Sequence, residues 1–262
     1  MPSDDGIAST SLCADSYVLA LAGPERISAL SWQAGHAVSA APGWARDLPR
    51  AWSDAERLYT LSPGLTVFGT GEGGRTQRLL ARTGLESFEL AWANDFDGVR
   101  DNLRALGERI GGEARAAAAI AELDARLERL ETRTAARGRR PRVLYLSASG
   151  ATAGAGTYVD EAIRAAGGVN VMADAGVNGW PRSDPETVLG VEADIVLTSF
   201  FAEGYASTYN HARHHAAYRL VLEERPNGTV PAGDWMCAGP RLIDAAERIA
   251  DIIDAWEREE GA

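Results

Sequence analysis

The feature that most constrains this chain is its division into two α/β halves about one long helix. Each half ends an apolar strand in a turn carrying a single glutamate. The first reads Leu65-Thr66-Val67-Phe68-Gly69-Thr70-Gly71-Glu72 and the second Ala193-Asp194-Ile195-Val196-Leu197-Thr198-Ser199-Phe200-Phe201-Ala202-Glu203. Between them, residues 113 to about 137 contain no proline and are rich in Ala, Leu, Glu and Arg, all strong helix formers. Ile120, Leu123, Leu127 and Leu130 line up as an apolar stripe. A helix of about 25 residues is a rod of about 37 Å. Such a plan suits two three-layer α/β lobes joined by one long helix, with a ligand cleft between the lobes, better than a single-domain enzyme. The expected divisions are residues 1–110, 111–138 and 139–262.

Strand and helix signals alternate within each half. Strands are expected at residues 7–11, 26–31, 65–68 and 86–92, with helices at 15–21, 73–83 and from a cap at Asp95 or Asp97 to Gly111. A loop rich in tryptophan, glycine and proline fills 32–52. The second half predicts strands at 142–147, 194–199 and 229–230, and helices at 158–166, 206–218 and 240–259, the last with proline in its first turn. Short connections between alternating elements imply parallel sheets covered on both faces.

Composition excludes several functions. The 262 residues carry a net charge of −11, and all 26 basic residues are arginines, so a nonspecific nucleic-acid surface is not expected. No apolar run reaches the length of a membrane span. The opening Met1-Pro2-Ser3-Asp4-Asp5 has neither the basic nor the apolar part of a secretory leader. The chain therefore reads as cytoplasmic, or as a mature form whose leader has been removed. Cys13 and Cys237 do not match metal-ligand spacing; they are two free thiols, or a disulfide joining early and late segments in an oxidising compartment.

Catalytic motifs are weak. The loop at 148–157 follows a strand and precedes a helix, where amides could cradle an anion, but it lacks the P-loop ending and the dinucleotide glycine pattern. A flexible, ligand-facing loop is the expectation. Gly-x-Ser-x-Gly is absent. His211 and His215 have the spacing of a two-histidine metal pair without the glutamate of a zincin, leaving a metal-dependent hydrolase, or a direct metal-ion binder, as the alternative function. Neither a catalytic residue nor a metal site is assigned.

Tryptophans carry more weight. Trp32, Trp44, Trp52, Trp92, Trp180 and Trp235 fall in loops or at strand ends, and Trp256 lies in the closing helix. Open parallel sheets bind ligands beyond the carboxyl ends of their strands, so aromatics there in both halves suit a flat or bulky ligand. The cleft candidates are Ser11, Trp32, Gln33, Gly69, Thr70, Trp92, Ser147, Ser149, Thr152, Trp180, Phe200 and Trp235. Arg182, Arg213 and Arg219 are the cations able to fork onto ligand carboxylates.

Several segments, in order, resemble the class III, helical-backbone substrate-binding proteins of ABC importers, the group with cobalamin- and siderophore-binding members. They are Ser9-Thr10-Ser11-Leu12-Cys13-Ala14-Asp15, Leu61-Ser62-Pro63-Gly64-Leu65-Thr66-Val67, Asn102-Leu103-Arg104-Ala105-Leu106-Gly107, and Gly154-Ala155-Gly156-Thr157-Tyr158-Val159-Asp160-Glu161 with Ala166-Gly167-Gly168-Val169-Asn170. Val191-Glu192-Ala193-Asp194-Ile195-Val196-Leu197, His214-His215-Ala216-Ala217 and Trp235-Met236-Cys237-Ala238-Gly239-Pro240 complete them. The resemblance implies a monomeric, non-enzymatic periplasmic protein with no cofactor of its own. It would capture cobalamin, a ferric siderophore, haem or an anionic quinone cofactor, in uptake of the TonB-linked kind, and deliver it to an ABC permease dimer. It also implies that Glu72 and Glu203 dock with permease arginines, and that a Cys13–Cys237 disulfide would bridge the lobes.

Overall fold

The computed structural model describes residues 6–182, 184–199 and 215–260. The chain forms two compact units, one of residues 1–123 with 236–240, the other of residues 124–235 with 241–262.

The first unit runs β1 (Ile7–Ser9), α1 (Leu12–Leu21), β2 (Ile27–Ser31), β3 (Arg50–Ala51), α2 (Ala55–Leu61), β4 (Leu65–Phe68), α3 (Gly74–Arg82), β5 (Glu86–Glu89) and α4 (Phe96–Ile110). Its five strands are parallel in the order β3-β2-β1-β4-β5. Strand order reverses between β1 and β4, which pair Ile7 with Leu65 and Ser9 with Val67. Helix α1 packs on α4, and α2 on α3. Ala8, Ala29, Ala51, Leu58, Phe68 and Leu80 form one core cluster.

Local sequence explains the boundaries. Ser11 caps α1 by accepting from the Ala14 amide, Asp54 caps α2 at Arg57, and Asp95 caps α4 at Gly98. Asp95 is thus the cap, and Asp97 lies in the first turn. Helix α4 stops at Gly111, whose positive φ of 63° suits glycine. The loop at 32–52 contains two short 3-10 turns, Trp32–Gly35 and Gly43–Asp47, and ends in β3. The expected strands 7–11 and 86–92 are shorter, because Ser11 turns into its capping role and Leu90 onward enters the next loop.

Helix α5 (Glu113–Ala135) contributes residues to both units. The second unit continues with β6 (Arg142–Ser147), α6 (Tyr158–Ala165), β7 (Val169–Asn170), α7 (Val171–Asp174), α8 (Pro185–Gly190), β8 (Ile195–Ser199), α9 (Ala216–Glu224), β9 (Asn227–Thr229) and α10 (Leu242–Glu260). Its four parallel strands are ordered β7-β6-β8-β9 and reverse between β6 and β8. Leu144 and Leu146 share one sheet face with Val171, Met172, Val188, Tyr218 and Val221, and α6 packs on α10. Strands β4, β6 and β8 are buried almost throughout, as strands covered on both faces must be.

Two expectations shift, and a third falls partly outside the described residues. The closing helix starts at Leu242, leaving Pro240 outside its first turn. Of the helix expected at 206–218, residues 206–214 lie outside the described ones, and 216–218 open α9 behind a His215 cap. Cys13 and Cys237 are bonded, with Cα atoms 5.8 Å apart, and no cysteine is free. Both belong to the first unit, so the bond is neither a pair of free thiols nor a bridge between lobes. It fixes residues 236–240 against α1, where the Tyr17 hydroxyl also donates to the Ala238 carbonyl at 2.8 Å.

Candidate functional site

In the first unit the carboxyl ends of β1, β2, β4 and β5 gather Ser11, Trp32, Gln33, Gly69, Thr70 and Trp92 at one end of the sheet. The groups behind them hold that rim. The buried Asp15 carboxylate accepts from the Ser9 hydroxyl and from both the amide (2.8 Å) and hydroxyl (2.6 Å) of Ser31, joining the ends of β1 and β2 just before Trp32. Burial raises the Asp15 pKa above the ordinary carboxylate value against the opposing bonds from Ser31 and Ser9. Ser11 reaches so close to β4 that a Cβ on Gly69 would stand 2.5 Å from its hydroxyl. A side chain at this position would displace the Ser11 hydroxyl.

The β4 turn is tied from several sides. Thr70 donates to the carbonyls of Leu90 (3.0 Å) and Ala91 (3.1 Å), and the Gly71 amide donates to Glu89 at 2.8 Å. Buried Asn102 accepts from the Ala91 amide at 2.8 Å and donates to its carbonyl at 3.0 Å. Ala91 is thereby clamped, and the next residue, Trp92, stands 70% exposed. Trp32 is 49% exposed and meets His36 edge-on at 5.0 Å between ring centres. Glu72 is half-buried in the same turn and accepts from Thr10 and from the Gly69 amide.

The second unit repeats the plan at the β6/β8 reversal. Register pairs Ser147 with Ser199 at the strand ends. The loop at 148–157 is tied by backbone bonds to the segment around Gly179. Thr152 and Gly154 donate their amides to Pro181 (3.1 Å) and Gly179 (2.8 Å), Ala155 donates to Val177 (2.8 Å), and Gly179 returns a bond to Ala155 (3.0 Å). The amides of Gly150 and Ala151 bond Ser147 and are not open to an anion. A Cβ on Gly154 would collide with the Val177 carbonyl, which explains glycine there.

The pairing presents Trp180, 42% exposed, with exposed Arg182 two residues on. Tyr158 packs on Trp180 at 4.9 Å and Tyr145 approaches its edge at 6.5 Å. Tyr145 in turn meets Trp235 at 5.2 Å. Burial raises both tyrosine pKa values, keeping the phenols neutral. The two tyrosines were missed in the sequence, although their positions at a strand interior and just after a helix cap were visible.

Burial divides the candidate set. Trp235 is 1% exposed and donates its indole N–H to Ser199 at 3.0 Å, so it belongs to the core. Thr152 is buried and bonds the Tyr145 carbonyl at 2.7 Å. Ser147 is buried beneath half-buried Ser149, with their hydroxyls 2.9 Å apart. Arg219 is exposed on α9. Phe200, Glu203, His211 and Arg213 lie outside the described residues. His215 uses Nδ1 to accept from the Ala217 amide, and among the described residues no group of three or more His, Cys, Asp or Glu side chains could hold a metal.

Each unit is thus a parallel α/β sheet with polar and exposed aromatic residues about its strand-order reversal, the place where open α/β sheets hold ligands. Residues 52–208 match the model of the periplasmic binding protein family, and the chain belongs to that family. It is 30% identical over 162 residues to the cobalamin-binding protein of Halobacterium salinarum, an alignment covering 60% of this chain and 43% of the relative. The chain thus spans less than half the length of the curated relatives it matches. Among solved structures, the periplasmic heme-binding protein HutB of Vibrio cholerae superposes with a TM-score of 0.79 at 18% identity, covering 96% of this chain and 99% of that one. The apo periplasmic heme-binding protein RhuT of Roseiflexus gives 0.77 at 21% (95% and 99%), and the vitamin B12-binding protein BtuF of Vibrio cholerae 0.71 at 23% (97% and 98%). These likenesses establish a shared fold. Among the described residues no helix is long and apolar enough to cross a membrane.

Proposed function

We infer that this chain captures a corrinoid of the cobalamin type in the periplasm and presents it to an ABC permease, without altering the ligand. The observation that carries the inference is the rim at each strand-order reversal, where exposed indoles sit among hydroxyls and amides. Trp32, Gln33, Thr70 and Trp92 supply this surface in the first unit, and Ser149, Trp180 and Arg182 in the second. Such a surface suits a broad macrocycle edged with amides, because indole faces cover apolar area while short polar groups fix orientation. The 30% identity to a cobalamin-binding protein supports the same ligand class. The Cys13–Cys237 bond supports an oxidising compartment. Glu72 and Glu203 remain the proposed docking acids, with charge pairing guiding encounter and register.

Isothermal titration with cyanocobalamin, haemin, a ferric siderophore and pyrroloquinoline quinone tests this. One-to-one binding of cyanocobalamin, weakened about tenfold or more by Trp92→Ala or Trp180→Ala, is expected. Saturable binding of haemin alone would transfer the function to haem capture. Chemical change in the recovered ligand would overturn the non-enzymatic assignment.

A further inference from the structure

Glu72 lies at the reversal between β1 and β4, where the first unit's rim is built. Its Oε2 accepts from the Thr10 hydroxyl at 3.0 Å and from the Gly69 amide at 3.2 Å. Thr10 follows β1, and its amide donates to the Val67 carbonyl of β4 at 3.1 Å. Gly69 follows β4. One carboxylate oxygen therefore joins the ends of the two strands whose order reverses. The Glu72 carbonyl accepts from Gln77 at 2.9 Å, and Gln77 also bonds Glu89, which holds the Gly71 amide, so the turn carrying the carboxylate is itself held in place.

The residues joined in this way are neighbours of the ligand candidates. Ser11 follows Thr10, Thr70 follows Gly69, and the position of a Gly69 Cβ lies 2.5 Å from the Ser11 hydroxyl and 3.2 Å from the Glu72 carboxyl carbon. At such close quarters, small movement of one strand end shifts the other.

We propose that Glu72 is a positioning residue of the ligand rim, a strut whose carboxylate fixes Ser11 and Thr70 by bonding Thr10 and Gly69. The proposal rests on the ligand-capture function, and it separates from a docking role by chemistry. A strut needs an acceptor oxygen, whereas pairing with arginine needs the charge. Glutamine supplies the first without the second.

Cyanocobalamin affinity is measured by calorimetry for the wild type, Glu72→Ala, Thr10→Val, the double variant and Glu72→Gln, each first shown folded by its thermal midpoint. Glu72→Ala and Thr10→Val should each raise Kd about tenfold, and the double variant should be little worse than either. Glu72→Gln should restore affinity to within about threefold of wild type. Wild-type affinity in folded Glu72→Ala, or equal loss in Gln and Ala variants, would overturn the strut. A wild type that binds none of the four ligands removes the proposed function, and hydrogen exchange at the Gly69 amide then decides the strut alone. Exchange at least tenfold faster in Glu72→Ala and near normal in Glu72→Gln supports it; unchanged exchange in Glu72→Ala overturns it.

Discussion

The tryptophans show why residue type alone does not assign a site. Trp92 and Trp235 both follow strands in loop-rich sequence, yet Trp92 is exposed beyond an Asn102-clamped residue while Trp235 is buried and bonded to Ser199. What separates them is the partner across the chain. Asn102 is 11 residues beyond Ala91, the residue it clamps, and Ser199 is 36 before Trp235, so neither contact is visible in local periodicity. Stability should therefore split the pair. Trp235→Ala leaves a large core cavity and should cost about 3–5 kcal/mol, whereas Trp92→Ala should stay within about 0.5 kcal/mol, as surface substitutions do. Urea unfolding of both variants checks this. Comparable losses would mean that Trp92 also packs in the core.

At the scale of elements, legibility followed covalent neighbourhood. Strands β4 and β6 were readable to the residue because Ser62-Pro63-Gly64 and Pro141 bound continuous apolar runs. Strand β3 has only two residues, and α2 leaned on an Asp54 cap inside polar sequence, so both were passed over. The partner of α5 was invisible for a different reason, since it lies more than a hundred residues away. Arg126 bonds Asp244 (2.6 Å) and forks onto Glu247 (2.6 and 3.0 Å). Arg133, seven residues on, bonds Asp251 (2.8 Å) and Asp254 (2.9 Å), themselves seven beyond Asp244 and Glu247. Arg137 adds a second bond to Asp254 and approaches Glu257 at 3.6 Å. Both numberings rise together, so α5 and α10 run parallel along this ladder. Partial burial pushes the Asp254 pKa up, but Arg137 and Arg133 outweigh it and hold the carboxyl below its ordinary value. A depressed carboxyl stabilises the fold above its unfolded pKa of about 3.9 and loses that contribution as pH falls through the folded value. Asp254→Asn should thus cost about 1–2 kcal/mol at pH 7, allowing for solvent screening of the exposed Arg133 side. The deficit should shrink in 1 M salt and fade in acid as the Asp254 carboxyl protonates in the folded state. Denaturant midpoints across pH and salt test it, and a deficit independent of both would mean that packing, not charge, is lost.

For the whole molecule, the alternation of strands and helices disclosed two α/β halves, and the two strand-order reversals mark the proposed ligand rim of each. Alternation could not disclose that residues 236–240 return to the first unit, because a five-residue segment has no periodicity of its own. Their attachment is the Cys13–Cys237 bond, which closes a sequence separation of 224 residues. Chain-entropy reasoning gives a loop of that length about 5 kcal/mol, an upper figure that native strain and residual unfolded structure reduce. The bond lies on α1, whose Ser11 cap belongs to the proposed ligand rim, so two consequences of breaking it can be separated. If the bond acts on the unfolded chain alone, the double variant Cys13→Ser/Cys237→Ser lowers the thermal midpoint by several degrees. Ligand affinity then stays within about twofold, because Asp15, Thr10 and Gly69 hold the rim without the sulfurs. A folded double variant that loses affinity more than tenfold would instead show that residues 236–240 brace α1 in the binding geometry, and that the bond serves recognition as well as stability.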